Sequence, residues 1–193
     1  MVEQSLVLMK TDALQRGIVG EILHRFERAG LKMVAVKLTH ANDKLAEAHY
    51  PGSQKWYKSV GEKTLADFER DNKDPVEIYG TSDPIGIGKV VRKWNEEFLK
   101  SGPVIAIVFE GVNAVSRIRA LVGHTFPANS APGTIRGDFS LESVHTGNNR
   151  KRPVYNLVHA SGSVDEAKAE LKLWFKKEEL FSYRRIHEDL YQY

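Results

Sequence analysis

Four short apolar runs are the feature that most limits the folds open to this 193-residue chain. The run at residues 104–109 is apolar at every position, and the run at residues 5–9 is nearly so, which is typical of buried strands. An amphipathic segment follows each run, with apolar residues recurring at helical spacing. We therefore predict strands at residues 5–9, 31–39, 103–110 and 154–160, and helices at residues 16–29, 42–50, 89–100, 113–122 and 164–175.

The order of these elements is β-α-β, a helical stretch, then β-α-loop-β-α. A helix between neighbouring strands is typical of the split βαβ arrangement. We therefore predict an α+β fold, a ferredoxin-like α/β sandwich with a four-stranded antiparallel sheet. One domain is expected over residues 1–193, with an aromatic C-terminal tail that packs on the body or on a neighbouring subunit.

Two segments add to this framework. A partly helical insertion is predicted at about residues 58–93, and an extended polar, basic loop at about residues 142–153.

A short strand is predicted at residues 138–141. The string Gly86-Ile87-Gly88-Lys89 has neither the upstream glycine nor the Ser or Thr of a phosphate loop, so we interpret it as a turn before the next helix.

Composition excludes several classes of protein. The chain has no cysteine, which rules out disulfides, thiolate metal sites and cysteine nucleophiles. No apolar run reaches the roughly 18 residues of a membrane span, and the N-terminus lacks a basic signal-peptide region, so a cytoplasmic location is expected. A net charge of +3 suits an anionic ligand but is too small to indicate a nucleic-acid-binding protein.

His159 is the candidate nucleophile. It lies between an apolar run and the small polar turn Ser161-Gly162-Ser163, just before a predicted helix. Imidazole accepts and returns a phosphoryl group well near neutral pH, because one ring nitrogen is then largely unprotonated. A histidine beside an apolar run is more often structural, so this segment alone leaves both interpretations open.

Several segments, taken in order, resemble nucleoside diphosphate kinase. The most specific are the octet Pro-Gly-Thr-Ile-Arg-Gly-Asp-Phe at residues 132–139 and the motif Asn156-x-x-His159-x-Ser161. The resemblance covers nearly the whole chain except the insertion and the loop at residues 142–153. The other matching segments are Lys10, residues 15–22, His49-Tyr50, residues 101–104 and Leu173-Trp174-Phe175.

The resemblance implies a ping-pong reaction. A nucleoside triphosphate, typically ATP, gives its γ-phosphoryl group to His159, and phospho-His159 gives it to a nucleoside or deoxynucleoside diphosphate. The reaction maintains the NTP and dNTP pools. Mg²⁺ is the implied cofactor, held mainly by the nucleotide phosphates with no direct protein ligand. A homo-oligomer is implied, either a hexamer or a tetramer, built from dimers. No membrane partner and no nucleic-acid partner is implied.

The resemblance also assigns roles around His159. Glu170 matches the carboxylate that hydrogen-bonds the non-reacting ring nitrogen, and this bond would fix the tautomer. Ser161 matches a residue near the histidine and this carboxylate. Tyr50 matches a residue beside the imidazole that helps to orient it.

Five further residues match the positions that hold the nucleotide. Lys10 matches a contact to phosphate and ribose, and Arg119 and Thr125 match contacts to the β-phosphate. Arg136 matches the contact to the γ-phosphate and is the best candidate for stabilising transition-state charge. Asn156 matches the residue that binds the ribose hydroxyl.

The aromatic that stacks on the base is the least certain assignment. Trp56 is the nearest candidate, with Tyr57 next, and plain core packing is the alternative for Trp56. Stacking would accept every base, since each base has a π-face.

Three features depart from the common pattern: the insertion, the loop containing Arg150-Lys151-Arg152, and Gly162 in place of an acidic residue. The basic loop and the insertion motivate an alternative function. This is a catalytically silent nucleotide- or nucleic-acid-binding regulatory protein on the same fold.

Overall fold

Four strands form one antiparallel sheet in the computed structural model, which describes residues 2–50, 52–70 and 73–186. They are β1 (Val2–Met9), β2 (Lys32–His40), β3 (Pro103–Val112) and β4 (Val158–Ala160). The strands lie in the order β2-β3-β1-β4, and each neighbouring pair is antiparallel. The predicted α+β class with a ferredoxin-like four-stranded sheet is confirmed.

Helices supply most of the remaining regular structure. No helix within the described ranges has the length and apolar character needed to cross a membrane. Short 3-10 turns lie at Pro127–Asn129 and Lys177–Glu179. In chain order the α-helices are α1 (Thr11–Gln15), α2 (Val19–Arg28), α3 (Asp43–His49), α4 (Gln54–Arg70), α5 (Val76–Tyr79), α6 (Pro84–Lys100), α7 (Ala114–Val122), α8 (Ile135–Phe139), α9 (Val144–Asn149) and α10 (Val164–Trp174).

The chain divides into two compact units. The sheet unit comprises residues 1–40, 103–141 and 156–193, and it contains the four strands with α1, α2, α7, α8 and α10. The helical unit comprises residues 41–102 and 142–155, with α3 to α6 and α9. The predicted domain extent of residues 1–193 includes positions outside the described ranges, and it stays a prediction.

The core of the sheet unit lies between the sheet and its helices. Phe26 of α2 and Phe109 of β3 are fully buried, with ring centroids 5.1 Å apart. Ile118 of α7 is also fully buried in this cluster. Each such side chain contributes about 1.5–3 kcal/mol by leaving water. This packing gives β1 and β4 a rigid support, and α10 packs against β1.

Three predicted elements of the sheet unit are wrong in type or extent. Residues 135–139 form α8, because the Thr134 hydroxyl caps the helix by accepting the Gly137 N–H at 3.1 Å, so the strand at residues 138–141 is absent. The last strand is only three residues long, because Leu157 has a left-handed φ of 67°. The helix predicted at residues 16–29 starts later, at Val19 of α2, because Gly17 has a φ of 66° and separates it from the short helix α1, which was not predicted.

The helical unit is built on the close pair α4 and α6. A Cβ at Gly61 would lie 1.9 Å from the Pro84 carbonyl oxygen, and a Cβ at Gly88 would lie 2.2 Å from the Tyr57 carbonyl oxygen. The two glycines therefore let the helices approach at their backbones. Gly86–Lys89 lies inside α6, not in a turn, because Asp83 caps a helix that starts at Pro84.

The extended loop is partly helical, since it contains α9. The buried Tyr79 hydroxyl donates to Asn148 Oδ1 of α9 at 2.5 Å, and its ring stacks on Trp94. Burial is the main cause that raises the pKa of the Tyr79 phenol, followed by the charge of Asp67. The insertion and the loop are thus joined inside the helical unit.

The C-terminal tail contacts the start of β2. The Phe181 N–H donates to the Val34 carbonyl at 2.8 Å, and the Tyr183 hydroxyl donates to the Met33 carbonyl at 2.8 Å. The tail therefore packs on the sheet unit over residues 181–183. The remaining tail aromatics, His187, Tyr191 and Tyr193, lie outside the described residues.

Candidate active site

His159 is the central residue of β4, directly opposite Leu8 of β1. Its neighbours Val158 and Ala160 are buried, and alternation along the strand turns the imidazole to the opposite face. The side chain keeps 18% of its surface exposed. Pairing of β4 with β1 therefore holds the backbone of this histidine in place.

Glu170 fixes the proton on the imidazole. His159 Nε2 lies 2.7 Å from Oε1 of this buried carboxylate, which is carried by α10. The Ser161 hydroxyl donates to the other carboxylate oxygen at 2.6 Å, and it accepts the Leu6 N–H at 3.2 Å. An ionised carboxylate only accepts, so Nε2 carries the proton of the neutral ring. The lone pair is then on Nδ1.

The surroundings of His159 favour its neutral form. Burial is the largest cause that lowers the pKa of the imidazole, followed by the positive charges of Lys10, Arg136 and Arg119. Each of these disfavours a second proton on the ring. The histidine is therefore unprotonated on Nδ1 at neutral pH, which is the form that a nucleophile needs.

Lys10 lies at the end of β1 and is buried, with 8% of its surface exposed. Its Nζ donates to Asn156 Oδ1 at 2.7 Å, and the Asn156 amide in turn donates to the Thr125 carbonyl at 2.8 Å. Burial lowers the pKa of Lys10 to about 8, with Asp12 acting in the opposite direction and Arg136 in the same one. Lys10 and Asn156 thus form one connected polar group.

Arg136, on α8, is buried and bonded mainly to backbone. Its Nε donates to the Asn156 carbonyl at 3.0 Å, and its Nη2 donates to the Val158 carbonyl at 2.5 Å. Its Nη1 donates to the carbonyls of Gly123 and His124 at 3.1 and 3.0 Å. Burial lowers its pKa to about 10, so it remains a cation. Arg136 therefore ties the residues around β4 to the end of α7.

The two remaining candidates in the sheet unit face solvent. Arg119 lies in the last turn of α7 and is exposed, and its charge contributes to lowering the pKa of His159. Thr125 is also exposed and follows the left-handed Gly123, where φ is 89° and the helix ends. An exposed cation and hydroxyl after a helix end suit an incoming phosphate.

The sequence analysis missed Asp12. This residue of α1 is 5% exposed, and its Oδ2 accepts the Leu157 N–H at 2.9 Å. The only signal in the sequence was the abrupt polarity change at Lys10-Thr11-Asp12 after an apolar strand.

Tyr50 and Trp56 belong to the helical unit. Tyr50 follows α3 and is half-buried, with its ring against the edge of His49 at 4.9 Å. Trp56 of α4 is half-buried and lies edge-on to Tyr57 at 5.8 Å. Their predicted roles beside the imidazole and on the base stay predictions.

Comparison with known proteins agrees with this geometry. The sequence profile described as nucleoside diphosphate kinase matches residues 3–63 and 89–180. The chain belongs to the nucleoside diphosphate kinase family. A nucleoside diphosphate kinase from Pyrobaculum aerophilum is 43% identical over 179 residues, covering 93% of this chain and 98% of that relative. One from Gallus gallus is 37% identical over 187 residues, covering 97% and 94%.

Solved structures of the family have the same fold. The crystal structure of an NDP kinase from Pyrobaculum aerophilum has a TM-score of 0.91 at 41% identity, covering 94% of this chain and 100% of that one. A transition-state mimic of the Borrelia burgdorferi enzyme, with bound vanadate and ADP, has a TM-score of 0.76 at 33% identity, covering 97% and 95%. Residues 64–88 of this chain lie outside the family match, within the predicted insertion.

Proposed function

We propose that this member of the nucleoside diphosphate kinase family transfers the γ-phosphoryl group of a nucleoside triphosphate to a nucleoside diphosphate through phospho-His159. The observation that carries the proposal is the 2.7 Å contact between His159 Nε2 and Glu170, which directs the lone pair to Nδ1. In the first half-reaction Nδ1 bonds to the γ-phosphorus, and the bond from that phosphorus to the β–γ bridging oxygen breaks. The diphosphate leaves with the electron pair, and the second half-reaction is the reverse.

Glu170 stabilises the intermediate as well as the nucleophile. Once Nδ1 carries the phosphoryl group and Nε2 keeps its proton, the ring is positively charged. The buried carboxylate 2.7 Å away offsets that charge. Ser161 holds the second carboxylate oxygen and keeps Glu170 in position.

Lys10, Arg119 and Arg136 supply the positive charge that phosphoryl transfer requires. The reaction depends mainly on positioning and on neutralising phosphate charge. All three cations act on the imidazole electrostatically. We assign Arg119 and Thr125 to the β-phosphate, Arg136 to the γ-phosphate, and Lys10 with Asn156 to the ribose and phosphate.

Mg²⁺ is the proposed cofactor. Cations and an amide surround His159, and this set of groups suits nucleotide phosphates that bring their own metal ion better than it suits a bare ion. No protein ligand is assigned to Mg²⁺. When bound, it would neutralise charge on the β- and γ-phosphates.

A cytoplasmic homo-oligomer is also proposed, either a hexamer or a tetramer, built from dimers. The edge strand β2 exposes Val36 and Leu38, at 55% and 67% of their surfaces. Exposed apolar side chains on a strand edge favour association between copies. Light scattering at several protein concentrations measures the state, and a monomer at every concentration would contradict it.

The test of the function uses γ-labelled ATP. The protein is expected to acquire an acid-labile label that GDP removes as labelled GTP, and His159→Ala is expected to abolish both steps. His24→Ala is the matched control, because His24 is exposed on α2. Full NDP kinase activity in His159→Ala would contradict the assignment. Nucleotide or nucleic-acid binding without any label on the protein would favour the silent alternative.

The stacking role of Trp56 is tested separately. Trp56→Ala is expected to raise the KM for all nucleoside diphosphates, because stacking accepts every base. Tyr57→Phe is the comparison, since it keeps an aromatic ring at the other candidate position. An unchanged KM in Trp56→Ala would favour the core-packing alternative.

A further inference from the structure

Asp12 is a buried carboxylate with no role in the assignments above. The residue is 5% exposed, and Oδ2 accepts the Leu157 N–H at 2.9 Å. Within the described part of the chain, its Oδ1 is buried and has no hydrogen-bond partner. A half-satisfied buried carboxylate is costly unless nearby positive charge offsets it. Asp12 acts electrostatically on two cations of the site, Lys10 and Arg136.

The partner of Asp12 is a strained residue. Leu157 is 1% exposed and has a left-handed φ of 67°. For a residue with a Cβ this conformation costs about 1–2 kcal/mol, so the surroundings must hold it. Asp12 accepts its N–H at 2.9 Å, and the backbone N–H of Lys10 donates to its carbonyl at 2.8 Å. Lys10 and Asp12, just after β1, thus hold both backbone polar groups of Leu157.

The backbone conformation of Leu157 sets the positions of Asn156 and His159 on either side of it. Asn156, just before, directs its side chain to Lys10 and to the Thr125 carbonyl. His159, two residues after, pairs with Leu8 in the sheet. A relaxed backbone at Leu157 would turn Asn156 away from Lys10 or remove β4 from its register.

We propose that Asp12 is a positioning residue for the phosphoryl transfer. Its carboxylate holds the left-handed Leu157 that joins Asn156 to the His159 strand, and it supplies the buried negative charge beside Lys10 and Arg136. The inference rests on the proposed function, since it assigns Lys10 and Arg136 to nucleotide phosphate.

The charge of Asp12 has a measurable consequence at Lys10. Asp12, Arg136 and the neutral His159 are among the groups that interact with Lys10, and Asn156 accepts its hydrogen bond. Burial lowers the pKa of Lys10 to about 8, and Asp12 opposes that effect. As the pH rises through this value the kinase loses a phosphate-binding cation, so kcat/KM falls. Without the Asp12 charge, the fall must begin at a lower pH.

The experiment compares Asp12→Asn with Asp12→Ala. Asparagine keeps an acceptor for the Leu157 N–H and removes only the charge, whereas alanine removes both. The measurement is kcat/KM for phosphoenzyme formation from Mg-ATP between pH 6 and 10. Asp12→Asn is expected to move the alkaline fall down by roughly one pH unit, the lower end of the usual effect of a nearby opposite charge. Asp12→Ala is expected to show the same shift and, in addition, a lower kcat/KM at every pH.

Two further variants separate charge from folding. Asp165→Asn removes an exposed carboxylate of α10, with 96% of its side chain accessible, and is expected to leave the profile unchanged. Lys10→Arg replaces the titrating group with one that stays charged, so Asp12→Asn in that background is expected to cause no shift. Melting curves of each variant show that the protein tested is folded.

The outcomes are distinguishable. An alkaline fall at the same pH in Asp12→Asn as in the parent, or no alkaline fall in the parent, would overturn the inference while leaving the phosphohistidine intact. A parent protein that never acquires the acid-labile label would overturn the proposed function itself.

Discussion

Glu170→Gln removes one buried charge and almost no volume. In the protein, Oε1 accepts from His159 Nε2 at 2.7 Å, and Oε2 accepts from the Ser161 hydroxyl at 2.6 Å. Glutamine has one acceptor oxygen, so its NH₂ group must face either the imidazole or Ser161. The Ser161 hydroxyl also accepts the Leu6 N–H, which limits its freedom to reverse. The substitution therefore loses the negative charge and weakens the control of the tautomer.

The size of the effect follows from that contact. A hydrogen bond to a charged group contributes about 1.5–3 kcal/mol. The positive charge on the ring is larger in the transition state than in the resting enzyme, so the loss falls on the barrier. At about 1.4 kcal/mol for each tenfold change in rate, we expect phosphoenzyme formation to slow by roughly 10- to 150-fold.

Rapid-quench measurement with γ-labelled ATP gives this rate directly. ADP affinity, measured by calorimetry, is expected to change little, because no nucleotide contact is assigned to Glu170. Glu178→Gln is the control, since Glu178 is exposed after α10. A rate within about threefold of the parent, or a loss found entirely in nucleotide affinity, would refute this account of Glu170.

Three further predictions concern stability. Because the pKa of His159 is lowered from 6.5, the unfolded chain gains a proton below that pH that the folded chain does not. The melting temperature should therefore fall as the pH drops below 6.5, and less steeply in His159→Gln. Gly61→Ala should lower the free energy of unfolding, measured by urea denaturation, by about 1–3 kcal/mol, because the added Cβ overpacks the contact with Pro84. Gly20→Ala should raise it by about 0.5–1 kcal/mol, because a Cβ there meets nothing within 4 Å and alanine favours the helix. Tyr79→Phe should cost about 1–3 kcal/mol in the same assay, because it leaves the buried Asn148 oxygen without its donor.

Elements that depend on local signals were predictable. The Asn42 side chain caps α3 by accepting the Leu45 N–H at 2.9 Å, and an asparagine at the start of the helix predicted at residues 42–50 is a local signal of this kind. The run at residues 104–109 forms the centre of β3. A short run that is apolar at every position is typical of a buried strand. Periodicity and capping act over a few residues, so they can be recognised in the sequence.

Elements that depend on distant partners could not be predicted from the sequence. The helix α6 contains Gly88 because α4 packs against its backbone at that position, a contact with no local sign in the sequence. The strand predicted at residues 154–160 begins only after Leu157, because residues near position 10 hold Leu157 in a left-handed conformation.

The candidate site shows the same division. The sequence by itself determined the chemical groups, because the motif at residues 156–161 and the octet at residues 132–139 have a specific order and spacing. Only the tertiary structure decided which atoms meet. It joins Lys10 to Asn156 across 146 positions and Leu157 to Asp12 across 145. These contacts form because antiparallel pairing of β1 with β4 brings residues near position 10 next to residues near position 157, and pairing between distant segments has no local signature in the sequence.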